Sequence, residues 1–221
     1  MKETTDRETV LVVDDHRTFT DLVALALRGE PDLECVGAAH DSADARRLVD
    51  QLDPDLVLMD VNLGEADGLQ LTAELLEEHP ELVVVVLTAF GDGSVMRRAA
   101  AVGASALLPK DGSLPDLLEG LRGARKGGLV VHPELLRTLV TEETAIPPPG
   151  SAAGLTAREQ DVLTRLAEGR TVSVIARDLG ISVHTCRGYV RSVLAKLGVH
   201  SQLEAVVVAV MRGLVDAPRR R

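Results

Sequence analysis

Five polar side chains stand where short apolar runs in the first half of the chain give out. Asp14 and Asp15 follow the run at 10–13, Asp60 follows 56–59, Thr88 follows 82–87, and Lys110 comes just after 104–108. Clustered carboxylates repel one another unless a cation neutralises them. Hard oxygen donors suit Mg2+, which keeps part of its water shell and can accept a phosphoryl oxygen. An aspartate beside such an ion can act as a nucleophile toward phosphorus and form an acyl phosphate. A lysine ammonium supplies a point charge for the phosphoryl oxygens, and a threonine hydroxyl supplies a hydrogen bond. Singly, Asp14 or Asp15 reads as a helix N-cap, Thr88 as a turn residue and Lys110 as a solvated charge. Together, each at the carboxyl end of an apolar run, they read as a site for phosphoryl chemistry. His16, beside the acidic pair, reads as an exposed or capping residue at a helix start and is left out of that site.

A second constellation occupies residues 181–197. Cys186, Val190, Val193, Leu194 and Leu197 recur at helical spacing and form an apolar stripe, while His184, Arg187, Gly188, Arg191 and Ser192 fall on the other side. Arg187 and Arg191 are one turn apart, so both guanidinium groups reach the same stretch of a polyanion, and Arg pairs bidentately with guanine or with phosphate. Gly188 costs about 1 kcal/mol of helix propensity, reasonable where the backbone approaches a groove closely. The plainer reading is a solvated basic face on an all-helical dimerisation module. A preceding helix at 172–179 and a tight turn at Gly180, Ile181 and Ser182 favour a helix-turn-helix whose second helix enters the major groove.

The elements that position these residues follow from periodicity. Apolar runs at 10–13, 33–37, 56–59, 82–87 and 104–108 alternate with amphipathic stretches at 18–28, 43–51, 69–78, 94–102 and 114–125. Near-continuous apolar strands alternating with helices predict an α/β fold: a doubly wound, five-stranded parallel sheet of flavodoxin-like order 2-1-3-4-5. The carboxyl ends of such strands share one edge, so the five polar residues converge there. A short helix is expected at 132–140, and the three prolines and small residues of 141–154 predict an exposed linker. Beyond it Thr156 with Glu159 and Ser201 with Glu204 are capping-box pairs, and helices are expected near 156–168, 172–179, 183–197 and 202–213. The expected division is thus an α/β domain over 1–128, a linker over 129–154 and a separate all-α domain over 155–221.

Charge divides the chain in the same way. The net charge is −10, yet residues 151–221 hold 11 Lys/Arg against 6 Asp/Glu, leaving 13 basic against 28 acidic residues before them. An acidic regulatory half and a polyanion-binding half are implied. Cys35 and Cys186 have no His or Cys at metal-ligand spacing and read as small core residues. The longest apolar runs fall well short of a membrane span and no signal-peptide pattern opens the sequence, so a soluble, cytoplasmic protein is expected.

At these residues the sequence resembles known families. LVVDDHRTF, DLVLMDVNLGEADGLQL, VVVLTAF and GASALLPKD are similar to the acidic-pair, phosphoacceptor, switch and lysine segments of response-regulator receiver domains, over about 9–128. The resemblance implies Asp60 as the phosphorylated residue, Asp14 and Asp15 joining it as Mg2+ ligands, Thr88 as switch hydroxyl and Lys110 as phosphoryl partner. Leu107 stands where that family usually has Tyr or Phe, removing the usual aromatic switch, and Gly64 replaces a usual proline, which should loosen the loop after Asp60. LTAREQDVLTRLAEG, IARDLGISVHTCRGYVRSVLAKLGV and SQLEAVVVAV resemble the LuxR-type helix-turn-helix of the NarL/FixJ family over 155–213. That implies Arg187, Gly188 and Arg191 at DNA-reading positions and a structural Glu159. Residues 172–174 depart from the polar run usual there. The chain is accordingly identified as a two-component response regulator rather than an enzyme. The implied partners are a sensor histidine kinase, promoter DNA with paired half-sites, and a second copy when active. Of the rivals, an aspartyl-phosphate phosphatase needs a second Asp two residues after the nucleophile, where this chain has Asn62. A phosphorylation-independent DNA-binding protein would have no need of all five polar residues.

Overall fold

The structure is a computed structural model and describes residues 7–89, 93–125, 130–131 and 154–216. Two compact units follow one another along the chain, Met1–Leu87 and Thr88–Arg221.

The first unit alternates strand and helix: β1 (Glu8–Val13), α1 (Arg17–Leu27), β2 (Leu33–Ala39), α2 (Ser42–Leu52), β3 (Leu56–Asp60), α3 (Gly68–Glu78) and β6 (Val83–Thr88). Between β3 and α3 sits a small hairpin, β4 (Asn62–Leu63) and β5 (Ala66–Asp67). β1 lies parallel to both β2 and β3, and β3 lies parallel to β6 with Asp60 opposite Leu87. Residues 10–13, 56–59 and 84–87 are buried on both faces, which explains their unbroken apolar character. Helix starts are set by short acids: Asp41 accepts from the Asp44 amide at 2.8 Å and Asp67 from the Leu69 amide at 2.9 Å.

The second unit continues with α4 (Gly93–Ala101), β7 (Ala106–Pro109), α5 (Leu114–Arg125) and a short β8 (Val130–Val131) parallel to β7. The sheet order is β2-β1-β3-β6-β7-β8. Its five main strands have the 2-1-3-4-5 order expected; β8 and the β4–β5 hairpin are additions. Four helices follow: α6 (Ala157–Ala167), α7 (Val172–Asp178), α8 (Val183–Leu197) and α9 (Gln202–Met211). Val162, Leu166, Ile175, Cys186, Val193 and Val206 are wholly buried among them. Each helix opens on a hydroxyl, from Thr156, Thr171, Ser182 and Ser201, that accepts the third amide of its first turn. The helix expected at 132–140 and the linker residues 141–153 lie outside the described residues.

Cys186 is buried as expected, whereas Cys35 is half-buried; both thiols are free, and burial pushes both above their ordinary pKa. Among the described residues no single helix is long and apolar enough to cross a membrane.

Candidate functional site

β3 ends in Asp60 and Asp14 directly follows β1, and the ladder holds these carboxyl ends side by side: Val13 pairs with Met59, one residue before Asp14 and Asp60. One donor atom each from Asp14, Asp15, His16 and Asp60 lies within 4.8 Å of all the others. Asp14 and Asp60 form the floor, at 0% and 2% exposure, while Asp15 and His16 form an exposed rim. Three carboxylates this close make a strongly negative pocket of hard oxygen donors, the donor set a small divalent cation requires.

His16 is the member that sequence reasoning left out. It occupies the N-cap position of α1 but makes no side-chain cap bond. Its backbone amide donates to Asp14 Oδ1 at 2.9 Å, while its Nδ1 lies 3.1 Å from that oxygen and 2.8 Å from Asp15 Oδ1. No sequence signal told an imidazole that caps a helix from one turned back on the preceding carboxylates.

The turn after Asp60 is held from several directions. The Val61 amide donates to Leu87 O at 3.0 Å, and the Gly68 amide donates to Val61 O at 2.8 Å. A Cβ at Gly68 would stand 1.9 Å from the Asp60 carbonyl oxygen, so only glycine fits. Gly64 has φ +63°, the left-handed conformation, at the first of the two residues linking β4 to β5. It supplies the turn of the β4–β5 hairpin. Thr88, the residue after Asp60's cross-strand partner Leu87, is buried at the end of β6. Lys110 follows β7, and its backbone amide donates to Thr88 O at 2.8 Å, tying those two strand ends together. Leu107 is buried in β7, at 1% exposure.

The second predicted surface is local. α7 and α8 are joined by a turn in which Gly180 has φ +65° and the Ile181 amide donates to Ala176 O at 2.9 Å. Cys186, Val190, Val193 and Leu197 are buried as the stripe predicts, and Leu194 is half-buried at its margin. His184, Arg187, Gly188 and Arg191 are exposed. Arg158, Arg165, Arg170 and Arg177 each pair with a nearby acid. Neither Arg187 nor Arg191 forms an ion pair among the described residues. A Cβ at Gly188 would meet nothing within 4 Å. Of the departing residues 172–174, Val172 is buried, which accounts for its apolar character.

Ser192 is half-buried and its hydroxyl donates to Glu159 Oε1. Glu159 also accepts from Lys196 Nζ at 2.6 Å and closes the capping box on the Thr156 amide at 2.6 Å. The Lys196 ammonium first, then the Ser192 hydroxyl and the Thr156 amide, lower the Glu159 pKa to about 2. The second predicted capping box is half formed: Ser201 accepts from the Glu204 amide, but the Glu204 carboxylate reaches back to the His200 amide at 2.8 Å.

The comparisons with known proteins fall on the same two surfaces. Residues 10–122 match the response regulator receiver domain, and residues 153–209 match the bacterial regulatory proteins of the luxR family. The transcriptional regulatory protein LiaR of Bacillus subtilis (strain 168) is 31% identical, with 94% of this chain and 99% of that protein covered. DegU of Brevibacillus brevis, also a transcriptional regulatory protein, is 29% identical over 93% of this chain and 94% of its own. In fold the chain is similar to RcsB from Salmonella enterica serovar Typhimurium, solved bound to a promoter with the phosphomimetic BeF3−. That likeness has a TM-score of 0.52 and 24% identity, covering 91% of this chain and 98% of that one. Sheet order, acidic strand ends, helix-turn-helix and these matches together make the chain a member of the two-component response-regulator family, with a receiver domain and a LuxR-type DNA-binding domain.

Proposed function

We propose that Asp60 is the phosphoacceptor of this regulator and that its phosphorylation controls promoter binding through α8. The observation that carries the reading is the convergence of Asp14, Asp15 and Asp60 within 4.8 Å at the carboxyl ends of two paired strands. A carboxylate oxygen of Asp60 attacks phosphorus, the P–N bond of a phosphohistidine on the partner kinase breaks, and its electron pair leaves with the imidazole nitrogen. Asp14, Asp15 and Asp60 would hold Mg2+, which would neutralise the carboxylates and supply a Lewis acid for phosphoryl oxygens. Thr88 contributes a hydroxyl and Lys110 an ammonium to the phosphorylated state. The chain acts by binding rather than by turning over a released substrate. It works in the cytoplasm, with a receiver over 1–128, a linker over 129–154 and a DNA-binding domain over 155–221.

His184, Arg187, Gly188 and Arg191 form the DNA-reading face. Their exposure, the absence among the described residues of ion pairs on the two arginines, and the open space around a Cβ at Gly188 support this. Ser192 belongs to the same surface by position, with its hydroxyl proton committed to Glu159. The phosphorylated form binds paired half-sites as a dimer, the symmetry helix-turn-helix proteins commonly match. Incubation with Mg2+ and acetyl phosphate should add one phosphoryl group by intact mass, increase the sedimentation coefficient and tighten promoter binding at fixed salt. Asp60→Asn should show none of the three; labelling that persists in that variant overturns the assignment.

A further inference from the structure

We propose that His16 is a nitrogen ligand of the cation site at Asp14, Asp15 and Asp60, and that it sets which divalent ion the site prefers. The inference rests on the reading that those three carboxylates hold a divalent cation.

His16 has the position of a helix cap without the bond of one. Its imidazole is turned away from the first amides of α1 and toward the carboxylates that precede it. In an octahedral site with bonds of roughly 2.1 Å, neighbouring donors are about 3.0 Å apart and opposite donors about 4.2 Å apart. Nδ1 stands 3.1 Å from Asp14 Oδ1 and 2.8 Å from Asp15 Oδ1, the separations of two adjacent corners. No pair among the four donor atoms exceeds 4.8 Å. The side chain is 68% exposed, so it closes the solvent side of the cluster without displacing any core residue. Three carboxylates alone are a donor set for Mg2+ or Mn2+; an imidazole beside them favours ions to which nitrogen binds well, such as Co2+, Ni2+ and Zn2+. His16 therefore leaves Mg2+ affinity nearly untouched and raises affinity for the nitrogen-seeking ions.

The test uses the full chain with Mg2+ and Co2+ as probes, Co2+ because its visible spectrum and paramagnetism report the ligands directly. Calorimetric titrations with Mg2+ and with Co2+ would be run on wild type, His16→Ala and Asp14→Asn. His16→Ala should weaken Co2+ about tenfold and change Mg2+ less than twofold. Of the chain's six histidines, the ring signal missing from the His16→Ala spectrum should be the one displaced by the first equivalent of Co2+. Equal Co2+ affinity in wild type and His16→Ala, with Mg2+ binding intact and lost in Asp14→Asn, overturns the role of His16 alone. Mg2+ binding that survives Asp14→Asn overturns the carboxylate site itself.

Discussion

Gly68 and Gly188 divide the two functional surfaces by the direction from which each is constrained. At Gly68 the constraint is internal: a Cβ would stand 1.9 Å from the Asp60 carbonyl oxygen and 3.2 Å from that of Val61. A Cβ at Gly188 would meet no atom of another element within 4 Å among the described residues, so steric packing there gives no reason for a glycine in mid-helix. The proposed phosphoacceptor site is assembled from residues distant in sequence, and the turn after Asp60 depends on close backbone packing. The proposed DNA-reading face is one side of a single helix, where His184, Arg187, Gly188 and Arg191 are exposed within eight consecutive residues.

Gly68→Ala tests the first half of that contrast and carries the largest expected effect. A methyl group cannot share space with a backbone carbonyl, so the turn after Asp60 has to open. Overpacking of this kind costs about 3 kcal/mol. Acetyl phosphate labelling should fall with the displaced carboxylate, in step with a lowered denaturation midpoint. Wild-type stability and labelling in this variant would mean that the turn is not held as described.

Gly188→Ala tests the second half with the opposite sign. The fold should gain about 1 kcal/mol from helix propensity, while promoter affinity falls because the new methyl group stands between backbone and groove. Arg187→Ala and Arg191→Ala should each cost about 1–3 kcal/mol of binding if they read bases. If they contact phosphate instead, the salt dependence should flatten without loss of sequence preference. A double arginine variant that binds its promoter as wild type does, with its fold intact, removes α8 from the interface.

The same contrast decides what the sequence made legible. Strands and helices of ten residues or so announce themselves by period, and the helices from 157 onward end within two residues of expectation. The β4–β5 hairpin and β8 are two-residue strands, too short to carry any period. Asp14, Asp15 and Asp60 were legible because a parallel sheet puts strand ends on one edge. His16 was not, because its ring direction depends on the turn into α1. Gly68 was not, because the carbonyl it spares lies eight residues upstream across a hairpin. Ser192 reads as part of the exposed face until Glu159, 33 residues before it, is seen to take its hydroxyl.

Glu159 carries the smallest and most local expectation. Its carboxylate ties the start of α6 to Ser192 and Lys196 near the end of α8, and so steadies the helix that presents Arg187 and Arg191 without touching either. Its folded pKa is lowered to about 2, from an ordinary value of 4.5. A carboxylate whose pKa is depressed by folding stabilises the native state above the unfolded value, and that contribution disappears as pH falls through the folded one. The protection of amides in α6 and α8 against hydrogen exchange should therefore hold down to about pH 4.5 and decline from there toward pH 2. In Glu159→Gln the decline specific to these helices should vanish, with protection already reduced at pH 7 by about 1–3 kcal/mol, since a charged partner of Lys196 is gone. Promoter affinity at pH 7 should fall by less than in either arginine variant, because the reading face is loosened rather than removed. An acid profile identical in the two proteins would show that Glu159 caps α6 without holding α8.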